Sequence, residues 1–251
     1  TGSAARMRNL GYRATRAPLV AFTDDDCRPT ETWLAELCAG ARRHPGAILQ
    51  GTTLPDPRDA AVLHSGRLTR TQAVRPTTLE GETCNIAYPR ALLDATGGFD
   101  ETFRRPWGED TDLLWRARRL GADHVAVPDA LTHHAVERIT LMERLRWGRQ
   151  MEQFPLILRR YPEYRRARGL AWRWLMTSSH GLFLLAVAGL IGAVRRPVLA
   201  LLVAPYFANT WRNLRAARRR AWRQLPARAV ITAGDVFALA RGSVRNRVLF
   251  L

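Results

Sequence analysis

Leu19-Val20-Ala21-Phe22-Thr23-Asp24-Asp25-Asp26 is the stretch on which the fold turns. Its four apolar residues follow Pro18, which ends the preceding segment, and they read as a short buried strand that stops at an acidic triplet. Upstream, Ala4 to Ala14 repeats small and apolar residues every three or four positions, the spacing of a helix. Downstream, past Pro29, Thr30 is an N-cap candidate for a helix from about Glu31 to Arg43. Helix, buried strand, acidic loop and helix make an α/β pattern, in which ligands bind at the carboxyl ends of strands. Three adjacent carboxylates repel one another unless a cation sits among them. Hard divalent ions, Mg2+ or Mn2+, suit such oxygens and bridge them to substrate phosphates. An acidic turn that only caps the next helix is the competing reading of the triplet taken alone.

Further along, residues 47–52 and Thr83 to Tyr88 are strand-like, and 55–80 show little periodicity. A helix is expected from near Arg90 to Gly97-Gly98. A second runs from Asp110 to Leu120, with Leu113, Leu114, Ala117 and Leu120 on one face and Gly121 in the position of a terminating glycine. Val125-Ala126-Val127 reads as a strand. Thr140 to Arg160 reads as an amphipathic, arginine- and aromatic-rich helix interrupted at Pro155.

Charge divides the chain. Residues 1–158 hold 21 Arg against 20 Asp and Glu, while residues 159–251 hold 18 Arg against Glu163 and Asp235 alone. The overall +17 therefore belongs to the C-terminal third, where Trp174 to Val194 and Val198 to Trp211 are the most apolar stretches. Cationic flanks around apolar segments fit the positive-inside rule and anionic headgroups better than nucleic acid, which calls for basic and aromatic residues interleaved on a folded surface. No nucleic-acid partner is expected. Cys27, Cys38 and Cys84 are widely spaced with no CxxC pair, so spacing indicates neither a disulfide framework nor a zinc site, and a reducing compartment fits.

Four blocks then follow one another between about residues 5 and 136: "RNLGYRATRAPLVAFTDDDCRP", "NIAYPRALLDATGGFDETF", "WGEDTDLLWRARRLG" and "VPDALTHH". Together they resemble the family 2 glycosyltransferases of the GT-A fold. The resemblance implies that Asp24, Asp25 and Asp26 form the donor-binding DXD motif. Asp24 would then meet the nucleotide ribose or the metal, and Asp26 would coordinate the metal to the diphosphate. It implies that Asp110 is the base that takes the acceptor's proton. Of the adjacent His133 and His134 only one can face the site from an extended segment, and alignment on Pro128 favours His134 as the metal-coordinating residue. Trp107 and Glu109 fall on the acceptor side. Glu143 with Arg146-Trp147 resembles the QxxRW acceptor motif of processive synthases, with Glu in its first position.

The family begins with a strand and a further βαβ unit that read the nucleobase, and these are not found in the sequence. The expectation is an α/β GT-A domain over 1–136, lacking its N-terminal donor-binding strands. C-terminal membrane-associated helices follow: amphipathic interfacial helices over 137–172, a transmembrane hairpin over 173–211 and a basic cytoplasmic tail over 212–251. The implied activity is inverting transfer of a sugar from a nucleoside diphosphate donor to an acceptor hydroxyl, lipid-linked or in the cell envelope. The catalytic domain would sit at the cytoplasmic face of the cell membrane. The alternatives are a catalytically silent, membrane-anchored scaffold of the same fold and a basic nucleic-acid-binding protein.

Overall fold

The computed structural model describes residues 3–168, 175–217 and 224–250. Helix α1 (Ala4–Ala14), capped by the Ser3 hydroxyl accepting from the Arg6 amide, leads into strand β1 (Leu19–Phe22) as expected. The acidic triplet does not run on to a helix. A turn closed by the Cys27 amide donating to the Asp24 carbonyl (3.1 Å) sends the chain into a short strand, β2 (Cys27–Pro29). Thr30 is not the cap of the next helix, because its hydroxyl and its amide both donate to the Leu131 carbonyl. Helix α2 (Trp33–Arg43) starts instead after Thr32.

Strand β3 (Ile48–Pro55), helix α3 (Ala60–Leu63), strand β4 (Thr69–Arg70), strand β5 (Ile86–Pro89) and helices α4 (Arg90–Thr96) and α5 (Glu109–Arg119) follow. Strand β6 (His124–His134) is much longer than the expected three residues, and β7 (Glu137–Arg138) pairs with β4 in a separate ribbon. The main sheet has the order β1-β5-β3-β6-β2. Only β3 and β6 run parallel; the other neighbours are antiparallel. The β3–β6 register jumps from Gly51 opposite Val127 to Thr52 opposite Leu131. Asn85 fills this irregularity: its amide donates to the Thr52 and Ala130 carbonyls, while Trp33 Nε1 donates to its Oδ1. Gly51 is required there, since a Cβ would run into the Ala130 carbonyl and the Asn85 side chain. One face of the sheet is closed by α2, whose Leu37 packs with Ala47, Leu49, Ala87, Val127 and Ala130. The five-stranded sheet with α1, α2, α4 and α5 belongs to one compact unit, residues 1–60 and 70–137, whereas most of α3 falls in the other.

The second unit, residues 61–69 and 138–251, is helical: α6 (Leu141–Gly148), α7 (Phe154–Arg160), α8 (Pro162–Ala167), α9 (Ser178–Ala193), α10 (Ala204–Ala217) and α11 (Leu225–Asn246). Helix α6 opens on a capping box in which Thr140 and Glu143 satisfy each other's amides. The expected break at Pro155 falls earlier, in a 3-10 segment at Arg149–Gln153, because Pro155 occupies the first turn of α7, where no amide is needed. Within the expected basic tail, residues 225–246 form a packed helix. Helix α11 buries Ile231, Asp235, Ala238, Leu239 and Gly242, and Asp235 accepts from both terminal nitrogens of Arg144 (3.1 and 2.7 Å).

The expected transmembrane hairpin finds no support among the described residues. Residues 173 and 174 lie outside the described residues. The apolar run beyond them forms α9, 16 residues long, and then a 3-10 segment at Pro197–Val203 that continues into α10. At 1.5 Å per residue α9 is roughly 24 Å long, short of a hydrocarbon core of about 30 Å. Among the described residues, no helix is long and apolar enough to cross a membrane.

Candidate active site

Asn9 explains why two of the four sequence blocks belong together. Fully buried on α1, it accepts from the Phe99 amide (2.8 Å) and donates to the Phe99 carbonyl and to Glu101 (2.9 Å each). Gly98, at φ +76°, must be glycine both for its backbone and because a Cβ would press on Asn9 and Tyr12. This latch fixes α1 against the Gly97-Gly98-Phe99 turn and sets the direction of the next side chain, Arg8. The guanidinium of Arg8 reaches three carboxylates: Asp24 at 3.0 Å, Glu109 at 2.7 Å and Asp110 at 3.2 Å. One arginine thus ties the acidic turn after β1 to the start of α5.

Three carboxylates around one cation leave surplus negative charge in a half-buried place. Asp110 is pushed above the usual carboxylate range by burial, against the pull of Arg8 and of two hydrogen bonds from the Thr83 amide and hydroxyl (3.1 and 3.0 Å). Glu109, 2% exposed, is pushed up by burial and by Asp110. The two titrate together, so their proton affinity belongs to the pair. Glu82, bonded to Thr78 and Gln50, is raised by burial as well. Arg8 stays cationic: the cost of burying it is outweighed by Asp110, Glu109 and Asp24.

Asp26 and His134 form the other half of the site. The β2–β6 ladder sets Cys27 directly opposite His134 and Arg28 opposite His133, so the alternation of the strand puts His134, which is buried, beside the acidic turn. His134 Nδ1 lies 2.9 Å from the Ala135 carbonyl, which can only accept, so Nδ1 carries a proton. In the neutral ring Nε2 then presents a lone pair to Asp26 Oδ1 at 3.4 Å. Two acceptors facing each other at that distance want a cation between them, and orientation of a ligating histidine through its other nitrogen is the usual arrangement at metal centres. Asp26 is itself raised by burial, and Asp24 adds to the rise. Asp26, Cys27 and His134 each offer one ligand atom, all within 4.8 Å of one another. The donor set fits a divalent ion.

Asp24, Asp26, Asp110 and His134 thus lie on one unit in a connected arrangement, with Glu109 buried among them as a partner of Arg8. Asp25 is exposed at the tip of the turn, and Trp107 is half-buried just before α5. Arg146 and Trp147 are exposed residues of α6 in the other unit, where Trp147 lies under the Arg144 guanidinium. Glu143, which fills the Gln position of the QxxRW resemblance, is occupied as the capping residue of that helix. Sequence reasoning passes over Arg8, Thr83 and Cys27. Arg8 had one available signal: it adjoins Asn9 in the first block and shares a helical face with no other charged partner nearby in sequence.

The sequence profile described as glycosyltransferase-like family 2 matches residues 1–150, and the chain belongs to that family. Among solved structures, the mannosyltransferase PcManGT from Pyrobaculum calidifontis, in complex with GDP-Man and Mn2+, is similar over 98% of this chain, with 18% identity and a TM-score of 0.50. That likeness shows the GT-A fold. The chain spans 66% of that mannosyltransferase's length. S. aureus TarS 1-349, in complex with UDP-GlcNAc, matches 99% of this chain and 73% of its own, at 15% identity and a TM-score of 0.43. None of the curated proteins matches the chain.

Proposed function

We propose that this chain carries the catalytic centre of an inverting, metal-dependent glycosyltransferase, moving a sugar from a nucleoside diphosphate donor to an acceptor hydroxyl. The observation that carries this reading is the convergence, through Arg8, of Asp24 with Glu109 and Asp110, beside the Asp26–His134 pair. Asp26 and His134 would hold the ion, and such an ion supplies positive charge to the diphosphate as it leaves. Asp110 takes the proton from the acceptor oxygen, which forms a bond to the anomeric carbon as the bond from that carbon to the diphosphate breaks. Its raised proton affinity makes it a stronger base than an exposed aspartate. Thr83 holds the carboxylate through Oδ2, which accepts from both its amide and its hydroxyl, and Arg8 through Oδ1, which keeps a lone pair for the incoming hydroxyl. A single base without a placed nucleophile favours direct displacement and inverted configuration. The anomeric configuration of the product, read by NMR from an α-linked donor, tests this: a β-linked product is expected, and a retained α-linkage would contradict it.

The second unit supports a lipid-linked or cell-envelope acceptor reached from the cytoplasmic face of the cell membrane. At the end of α9 and in the segment after it, Ile191 (70% exposed), Val194 (88%), Val198 and Leu201 (70%) stand outside, with exposed Arg195 and Arg196 between them. Large aliphatic side chains left in water next to guanidinium groups match an interface of acyl chains and anionic headgroups. We therefore read the attachment as insertion into one leaflet.

A further inference from the structure

We propose that the metal position beside the acidic turn draws a third ligand from Cys27, which makes it selective for thiophilic divalent ions, Zn2+ and Cd2+, over Mn2+ and Mg2+. This rests on the reading of Asp26 and His134 as metal ligands. Spacing along the sequence gives no sign of such a site, since no CxxC pair is present and the ligands come from distant segments. The β2–β6 ladder brings them together. Cys27 and His134 are direct cross-strand partners and so project on the same face of the sheet. Asp26 precedes Cys27 and is held by the Ala135 amide donating to its carbonyl (2.9 Å).

The three ligand atoms lie within 4.8 Å of one another. A tetrahedral zinc site with bonds of about 2.0–2.3 Å has ligand atoms roughly 3.3–3.7 Å apart, so closure needs movements of about an ångström or less at side-chain ends. His134 Nε2 already lies 3.4 Å from the Asp26 carboxylate. Carboxylate and imidazole alone accept Mn2+ or Zn2+, but a thiolate adds affinity only for softer ions. On binding, the thiol proton passes to solvent. Three protein ligands leave a fourth position open, as in zinc sites that still accept water or a substrate oxygen. Cys27 is thus a specificity-determining residue for the ion, and Zn2+ competes with Mn2+ for the site.

The test is titration of the full chain with Cd2+ alone, reading ultraviolet thiolate-to-metal charge transfer, and with Mn2+ alone, reading its paramagnetic resonance signal. The wild type is expected to show the Cd2+ band at one ion per chain. The band should vanish in Cys27→Ser and Cys27→Ala and persist in Cys38→Ser and Cys84→Ser, with circular dichroism verifying that each variant is folded. Zn2+ affinity should fall roughly tenfold or more in Cys27→Ser while Mn2+ affinity changes less than about twofold. Mn2+ binding that is lost in Asp26→Asn, together with a Cd2+ band that is absent or survives Cys27→Ser, overturns the thiol ligand and leaves the metal reading standing. Failure of both ions to bind overturns the two together.

Discussion

In the first unit a single guanidinium, Arg8, faces three carboxylates; in the second the buried Asp235, from a stretch (residues 159–251) where 18 Arg accompany two acidic residues, faces Arg144. The pairs are built alike, from buried charges in bidentate or bridging contact, yet they differ in what surrounds them. Around Arg8 the surplus is negative and concentrated at one sheet edge, and Asp26 and Glu82 add to it, a setting that favours a cation. Around Asp235 the internal charge is neutralised by Arg144, while Arg195 and Arg196 are exposed between exposed aliphatic side chains. On the proposed function, the first surplus would meet a metal and a nucleotide, and the arginines beside exposed aliphatic side chains in the second unit would meet an anionic lipid surface.

The comparison breaks most severely if Asp110 is dispensable. Asp110→Asn removes the proposed base with little change in shape, and turnover should fall roughly 10²–10⁴-fold with donor affinity, measured by calorimetry, nearly unchanged. On the other side, Asp235→Ala leaves Arg144 buried and unpaired, since the pair is only 7% and 14% exposed. Denaturant unfolding should then show a loss of about 3–5 kcal/mol. An unchanged unfolding midpoint would mean that the second unit does not depend on this pair. Placing charge on the exposed aliphatic face with Ile191→Asp should lower partitioning onto anionic vesicles roughly tenfold, and raised salt should weaken what remains.

The smallest effect sharpens the comparison through pH. Asp110 works unprotonated, and burial raises its pKa while Arg8 opposes that rise. The acid limb of kcat/KM should therefore lie above the ordinary aspartate range, with activity falling about tenfold per pH unit below it. Arg8→Gln removes the opposing charge and should move that limb to higher pH. A limb that stays in place or moves down would show that Arg8 does not set the proton affinity of the pair.

Much of the first unit was legible because its elements are local. Pro18 and the abrupt change from Phe22 to Asp24 bound β1, and Gly97 and Gly121 mark helix ends. What was not legible depends on distant partners. Strand β2 is three residues that exist only because β6 lies beside them, and β6 looked short because Pro128-Asp129 reads as a break, whereas Asn85 and Gly51 absorb the irregularity in the middle of the strand. The preference for His134 over His133 rests on alignment at Pro128, since strand alternation alone leaves the two open. Arg8 was one arginine among many until Asn9 fixed its direction. Helix α11 was hidden by its glycines, which let it approach the backbone at Glu152 but weaken any apolar stripe. The transmembrane expectation rests on the length of the apolar run, which among the described residues is divided between α9 and a 3-10 segment.

The central claim is that the Arg8 cluster and the Asp26–His134 pair make one metal-dependent, nucleotide-sugar-cleaving centre. Its most direct test is release of nucleoside diphosphate by the full chain, membrane-bound, from a panel of nucleotide sugars, first in chelator and then through a titration of Mn2+. Release that is absent in chelator, appears with Mn2+ and keeps pace with sugar transfer is the predicted result. Turnover of the same rate in chelator, or none with any donor and any divalent ion, would contradict the account and leave a silent scaffold of the same fold.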